Sequence, residues 1–200
     1  GKRQSSVFNW VDRDSVPASV LVELFGIDGT IERVPDDVQL GVRRDTVEID
    51  RLLRIDDEFA TLLGYYTAEG FTRNEDGEFY QTTVCIPDEP AREHVIDTFA
   101  DALSVTAFEE NEWKVTVSSR LVTALFTDVL GLGTGASDKR VPDAILSAEK
   151  QILGSYLSAY FSGDGCASRD RLDIRAHTIS TELKGDLVAA LKRFGIAAKT

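Results

Sequence analysis

Two acidic residues stand out by what precedes them. Positions 62–70 read LLGYYTAEG and positions 157–165 read LSAYFSGDG. Each is an apolar helical stretch ending small–acid–glycine, and the acids, Glu69 and Asp164, are 95 positions apart. In helical phase Gly64 and Ala68 share one face, and so do Ala159 and Gly163. Small residues four apart let two helix backbones approach closely. The two helices are therefore expected to pack on each other across a pseudo-twofold axis, with Leu62, Leu63, Tyr66, Leu157, Tyr160 and Phe161 filling two flanking cores. Glu69 and Asp164 then emerge side by side at the helix C-termini. A carboxylate there opposes the helix macrodipole by about 0.3–1 kcal/mol, and two of them repel further. A hard divalent cation with oxygen ligands removes the conflict, since Mg²⁺ accepts one or two carboxylates plus water and phosphate oxygens. For one copy alone, a solvated acid at a helix end is the simpler explanation. Its recurrence after the same small-residue face favours a cation site.

The elements around these acids repeat as well. After Gly70 the pattern predicts a hairpin, Phe71–Glu75 and Glu78–Ile86, around an Asp76-Gly77 turn. After Gly165 it predicts a shorter one, Cys166–Ser168 and Leu172–Ile179. A helix follows in each half: Ile96, Phe99, Ala100 and Leu103 recur at helical spacing, and Leu187, Ala190, Leu191 and Phe194 match them at an offset of 91. Gly195 is a suitable C-cap. The first unit continues with strands Thr106–Glu109 and Trp113–Ser118 across Glu110-Asn111-Glu112, then a helix Arg120–Leu130 ending at Gly131. The class is α+β, a tandem of αββαββα units. The last parts of a second unit fall beyond Thr200 at the same offset, so the second repeat is expected to be incomplete. Three segments result: 1–50, with no repeat partner; 51–135, the first repeat; and 136–200, the second. Within the first segment Val20–Phe25 reads as a short helix or strand and Asp28-Gly29 as a turn. The glycine-rich Gly131–Ser137 follows a helix and lacks a trailing GK[ST], so it reads as a linker and not a phosphate loop.

The bulk composition points elsewhere. The chain carries 34 acidic against 22 basic residues, a net charge of −12, which taken alone argues against nucleic acid and against anionic membranes. With 42% hydrophobic residues it is a folding sequence and not an acidic tail. An Asp-rich, Lys-poor but foldable chain fits a high-salt interior, with an ordinary acidic enzyme as the alternative. Cys85 and Cys166 form no CxxC pair, and no apolar run reaches the roughly 18 residues of a membrane span. A soluble cytoplasmic protein with free thiols is expected.

LLGYYTAEG and LSAYFSGDG resemble the two signature motifs of LAGLIDADG homing endonucleases, specifically the two-motif kind carried in archaeal inteins. The αββαββα unit is similar to that family's repeat. Lys139-Arg140-Val141-Pro142 resembles its K-x-[IV]-P element, and Thr178–Ile196, with Ser180-Thr181 before an amphipathic helix, resembles the element after the second motif. The likeness covers roughly residues 50–200. Ala159 stands where the family usually has glycine, and Thr67 and Ser162 where it often has an acid.

The resemblance implies a monomer with an internal pseudo-dimer that hydrolyses one phosphodiester in each strand of a long, asymmetric double-stranded DNA site. Glu69 and Asp164 would bind two or three Mg²⁺, with carbonyls near Ala68 and Gly163 as further ligands. Lys139 would stabilise charge or polarise the water at one scissile phosphate. DNA would be read from the strands in the major groove, with Arg73, Gln81, Thr83, Lys114, Arg140, Arg169, Arg171, Arg175 and His177 as candidates. His177 has no second His at ligand spacing, so it is not a metal ligand. On this reading the charge of −12 belongs to the background, and Arg and Lys should line one strand surface while acids cover the helices. Residues 1–50 would be the edge of a splicing or DNA-recognition region; neither a Cys or Ser start nor a terminal His-Asn is seen. Two other readings stay open: a LAGLIDADG nucleic-acid-binding protein of maturase or regulator type without cleavage, and a halophilic scaffold whose repeated helices do no chemistry.

Overall fold

The computed structural model describes residues 10, 12–75, 77–167 and 173–199. The chain divides into two compact units, Gly1–Val38 and Gln39–Thr200. The smaller contains α1 (Ala18–Arg33), which extends well past the Val20–Phe25 stretch and takes in Asp28-Gly29, expected as a turn. Its break is instead at Gly26, whose φ of +72° and ψ of 174° interrupt the helix. Arg33 closes the helix by donating to the Gly29 carbonyl (3.0 Å) and lying over the Phe25 ring.

The larger unit opens with a short antiparallel pair, β1 (Gln39–Gly41) and β2 (Glu48–Asp50). Asp45 between them accepts from the Ser119 hydroxyl (2.8 Å) and the Leu121 N–H (3.0 Å). Asp56 then caps α2 (Asp57–Glu69) through the Phe59 N–H, and β3 (Gly70–Glu75) follows without a linker. β4 (Glu78–Cys85), α3 (Glu89–Leu103), β5 (Phe108–Asn111) and β6 (Lys114–Ser118) complete an antiparallel sheet in the order β3-β4-β6-β5. The expected turn Glu110–Glu112 shifts, because β5 continues to Asn111 and a register shift falls between Glu109 and Asn111. Helix α3 buries Val95, Phe99 and Leu103, whereas Ala100, assigned to that face by spacing, is exposed.

The helix after β6 is α-helical only as α4 (Arg120–Ala124) and continues as a π turn, Leu125–Val129, whose Leu130 N–H reaches back five residues to Leu125. Helices α5 (Asp143–Ser147) and α6 (Lys150–Asp164), the short ladder β7 (Cys166–Ala167) with β8 (Ile174–Arg175), and α7 (Thr181–Arg193) follow. Gly195 has φ +75° and donates to the Lys192 carbonyl, as a C-cap does. The most extensive helix contact is α2 against α6. The apolar residues around this pair form one contiguous buried cluster, not two separate cores, running from Leu62, Leu63 and Tyr66 to Leu153, Tyr156 and Tyr160. Among the described residues no helix is long and apolar enough to cross a membrane.

Candidate metal and nucleic-acid site

The small-residue face does what its spacing predicts. A Cβ added to Gly64 would meet the Tyr156 carbonyl oxygen and lie 2.8 Å from the Ala159 Cβ; one added to Gly163 would lie 2.6 Å from the Ala68 Cβ. Gly64 and Ala159 are equivalent positions of the two copies, and so are Ala68 and Gly163. Each residue thus touches its own counterpart, the mark of an isologous two-fold contact. The helices run parallel, since Asp57 at the start of α2 accepts from Ser155 (2.7 Å) and Gln151 (2.7 Å) in the first half of α6. Both C-termini therefore point the same way. Gly70 and Gly165 lack Cβ atoms where one would strike the carbonyl of Tyr66 or Phe161, which lets the chain leave each helix directly into a strand.

Glu69 and Asp164 meet at that end, both half-buried, and neither helix has a basic residue in its last turn. Burial raises the Glu69 carboxyl above its usual range, the Asp164 charge raises it further, and Lys139 opposes both. Burial also raises Asp164, against Lys139, the Tyr160 hydroxyl and His177. The compensating charge is Lys139. It is buried, donates to the Ala68 carbonyl (3.1 Å) and lies over the Tyr66 ring. Burial pulls its ammonium down to about 8, while Asp164 and Glu69 hold it up. Lys139 is thus no solvated loop lysine.

Its position is built from two sides. Asp138 accepts from the Thr134 N–H and hydroxyl and the Gly135 N–H (each 2.9 Å), which consumes the donors of the glycine-rich connector and leaves it a structured linker. The Lys139 carbonyl accepts from Ser180 Oγ (2.6 Å), the hydroxyl that also caps α7 through Leu183, and the Val141 N–H donates to Asp186 (3.1 Å). The K-x-V-P and Ser-Thr elements, joined by a bond between residues 41 apart in the chain, hold each other.

Comparison with known proteins agrees with this geometry. Residues 152–200 match the family profile described as LAGLIDADG-like domain. A solved structure of I-DmoI in complex with DNA and Mn superposes with a TM-score of 0.54 at 14% identity, covering 73% of this chain and 82% of that one. Residues 152–200 are a LAGLIDADG-like domain, and the chain shares the fold of that solved structure.

Its relatives include the DNA polymerase II large subunits of Haloquadratum walsbyi (31% identical, 99% of this chain, 9% of that protein) and Thermococcus kodakarensis (34%, 94% and 10%). A DNA polymerase of Thermococcus sp. strain GE8 is 29% identical over 75% of this chain and 9% of its own length. The chain therefore spans about a tenth of the curated relatives it matches.

In LAGLIDADG terms the remaining nominated residues divide. Register places Arg73, Gln81, Thr83 and Lys114 on one face of the sheet, the face turned away from α3 and α4. Two of them differ from expectation in availability. Thr83 is fully buried, its hydroxyl paired with Thr116 (3.0 Å), and Arg73 is already engaged by Glu110 at 2.6 Å. On this face Arg73 pairs with Glu110, and the Lys114 ammonium lies over the Phe71 ring at 5.8 Å. Arg140 is not brought to it: its guanidinium lies against Asp143 (3.4 Å) and Asp186 (3.8 Å) beside α5 and α7. Arg175 is exposed on β8, paired with Asp173 (3.0 Å), and His177 is exposed within electrostatic reach of Asp164. Arg169 and Arg171 lie outside the described residues. The Ala68 carbonyl, expected as a further ligand, accepts a hydrogen bond from Lys139 Nζ (3.1 Å).

Two neighbours of the acids were not singled out for chemistry. The Tyr160 hydroxyl is fully buried one helical turn before Asp164, on which it acts electrostatically, and among the described residues it has no hydrogen-bond partner. Cys85, half-buried, lies within electrostatic reach of Glu69, Lys139 and Lys114. A tyrosine among apolar helix residues reads as core, and a lone cysteine carries no pattern, so neither offers a sequence signal.

Proposed function

We propose that this chain is the homing-endonuclease region of an intein and hydrolyses one phosphodiester in each strand of a double-stranded DNA site. The observation that carries the reading is the pair Glu69–Asp164 at the ends of two helices packed through equivalent small residues, with buried Lys139 between them. The two half-buried carboxylates offer a hard, sparse oxygen set; no cluster of three or more His, Cys, Asp or Glu ligands occurs among the described residues. That set suits a hexacoordinate cation that keeps most of its waters and shares phosphate oxygens, as Mg²⁺ does. Glu69 and Asp164 are the residues that would hold such ions, and the ions would supply an activated water and stabilisation of the leaving oxygen. Lys139, protonated at neutral pH, places a positive charge where the scissile phosphate gathers negative charge. The apolar shell around it keeps bulk water from screening that charge.

The intein assignment draws support from the relatives. They are polymerases of which the matching segment is about a tenth, and the same kind of segment matches proteins named DNA polymerase II large subunit and DNA polymerase. A segment shared by different hosts fits a mobile insertion. A halophilic source fits the charge pattern: Glu89, Glu93, Asp97 and Asp101 line one exposed face of α3 at every fourth residue. Like charges so spaced repel in dilute buffer and are screened at high salt.

Incubating the protein with Mg²⁺ and a polymerase II large-subunit gene lacking the insert tests the reading. Cleavage of both strands at one site is expected, and its loss in the Glu69→Gln/Asp164→Asn double variant, with DNA binding retained. Tight, specific binding without cleavage at any salt concentration would instead favour the maturase or regulator type.

A further inference from the structure

We infer that Glu110 is a positioning residue for DNA recognition: it holds Arg73 in a fixed pose for reading a guanine edge in the major groove. The inference rests on the DNA-binding reading above. The sheet face carries one continuous hydrogen-bonded chain across all four strands. Arg73 Nη2 on β3 donates to both Glu110 oxygens on β5 (2.9 and 2.6 Å), and Arg73 Nη1 donates to Gln81 Oε1 on β4 (3.0 Å). Gln81 Nε2 donates to Ser118 Oγ on β6 (2.7 Å). Thr116 Oγ1, itself paired with Thr83, donates to Glu110 Oε2 (3.2 Å).

This arrangement differs from a casual surface ion pair. Arginine and glutamate here come from the two outer strands of the sheet, separated by β4 and β6, and meet over the middle of the face. Glu110 reaches that face through the register shift between Glu109 and Asn111, while its neighbour Glu109 pairs with Arg92 on the helix side. Both Glu110 oxygens are engaged by protein donors, which fixes the carboxylate on the face. Arg73 has five N–H donors in a rigid fork. Among the described residues its Nε–H has no hydrogen-bond acceptor, and the guanidinium remains 27% exposed in its side chain, over Phe71 at 5.8 Å. A guanidinium clamped on one side and open on the other is preorganised for an acceptor pair. In the major groove the guanine O6 and N7 atoms provide that pair. A loose arginine would favour phosphate instead, which reports no sequence.

The test is selection of bound sites from a randomised DNA library by the full chain without divalent cations, so that nothing is cut. Wild type should select a site with a strong guanine at one position. Glu110→Gln, which keeps shape and removes the charge, should relax that position about tenfold or more and leave the others unchanged. Arg73→Lys, which lacks the fork, should relax the same position. Thermal melting of both variants checks that they fold. Wild-type selection with unchanged base preferences in Glu110→Gln overturns this inference alone. So does a uniform gain in affinity, which would make Glu110 a mere neutraliser, and so does a salt-slope change for Arg73→Lys without base relaxation, which would make Arg73 a phosphate contact. Failure of wild type to select any DNA overturns the DNA-binding reading together with it.

Discussion

The two half-sites share a nine-residue motif and the order helix, hairpin, helix, but their surroundings differ. Glu69 leads directly into a four-stranded sheet, and the carbonyl before it is capped by Lys139. Asp164 leads into a two-residue ladder and has the buried Tyr160 hydroxyl and exposed His177 as neighbours. The motif therefore sets where each acid stands, while other segments set how its charge is compensated. One lysine, from the connector between the copies, serves both acids. The two carboxylates are equivalent by symmetry of the helices and inequivalent by environment.

After the acids themselves, the largest effect that would break this picture comes from the shared lysine. Lys139→Met should lower cleavage about a hundredfold or more in both strands, as loss of a charge in a water-poor site does; an effect confined to one strand would assign Lys139 to one acid only. The wild-type rate should also fall as pH rises through about 8, where Lys139 loses its proton. Divalent ions held by Glu69 and Asp164 would repel the ammonium and move that limb lower.

The helix contact comes next. Gly163→Ala places a methyl 2.6 Å from the Ala68 Cβ and should destabilise the protein by about 1–3 kcal/mol in denaturant melts. Ala159→Gly, which removes the methyl that faces Gly64, should be much milder, because each of the two contacts pairs one methyl with one glycine and only a second methyl clashes.

Burial and mutual charge raise Glu69, so its ionisation disfavours the folded state at neutral pH. A carboxyl whose folded pKa lies above its unfolded value weakens folding above that pKa, and the penalty vanishes once pH falls below the unfolded value. Metal-free Glu69→Gln should therefore melt higher at pH 7 and equal wild type in strong acid. The smallest effect expected is that of Tyr160→Phe. It removes a buried hydroxyl without a hydrogen-bond partner, so stability should change by under about 1 kcal/mol. Calorimetric Ca²⁺ affinity should drop at one site only; an equal drop at both would contradict the inequivalence.

Much of this site is legible in the sequence because helical periodicity is a local signal. The Gly64–Ala68 and Ala159–Gly163 spacing fixes the contact face, and the acid–glycine ends follow from it. Hairpins are equally local, and β3 and β4 lie where alternation and Asp76-Gly77 put them. What escaped depends on distant partners. Lys139 becomes a buried cation only because Tyr66, Ala68 and Ser180 close on it from three separate elements. Glu110 looked like a turn residue among polar neighbours, and the register shift in β5 turned it onto the sheet face. Arg140 kept its place in the K-x-V-P element, but Asp143 and Asp186 drew its side chain away from the strands. The π turn after α4 and the break at Gly26 likewise have no periodic signature.

The central claim is that Glu69 and Asp164 each govern one scissile phosphate of a shared DNA site. The most direct measurement is strand-resolved cleavage of an end-labelled duplex in Mg²⁺ by Glu69→Gln and Asp164→Asn separately. Each variant should lose about a thousandfold in the cutting of one strand, the loss matching several kcal/mol of charge stabilisation, and the two should spare opposite strands. Identical cleavage by wild type and both variants, or loss of the same single strand in both, would contradict the account.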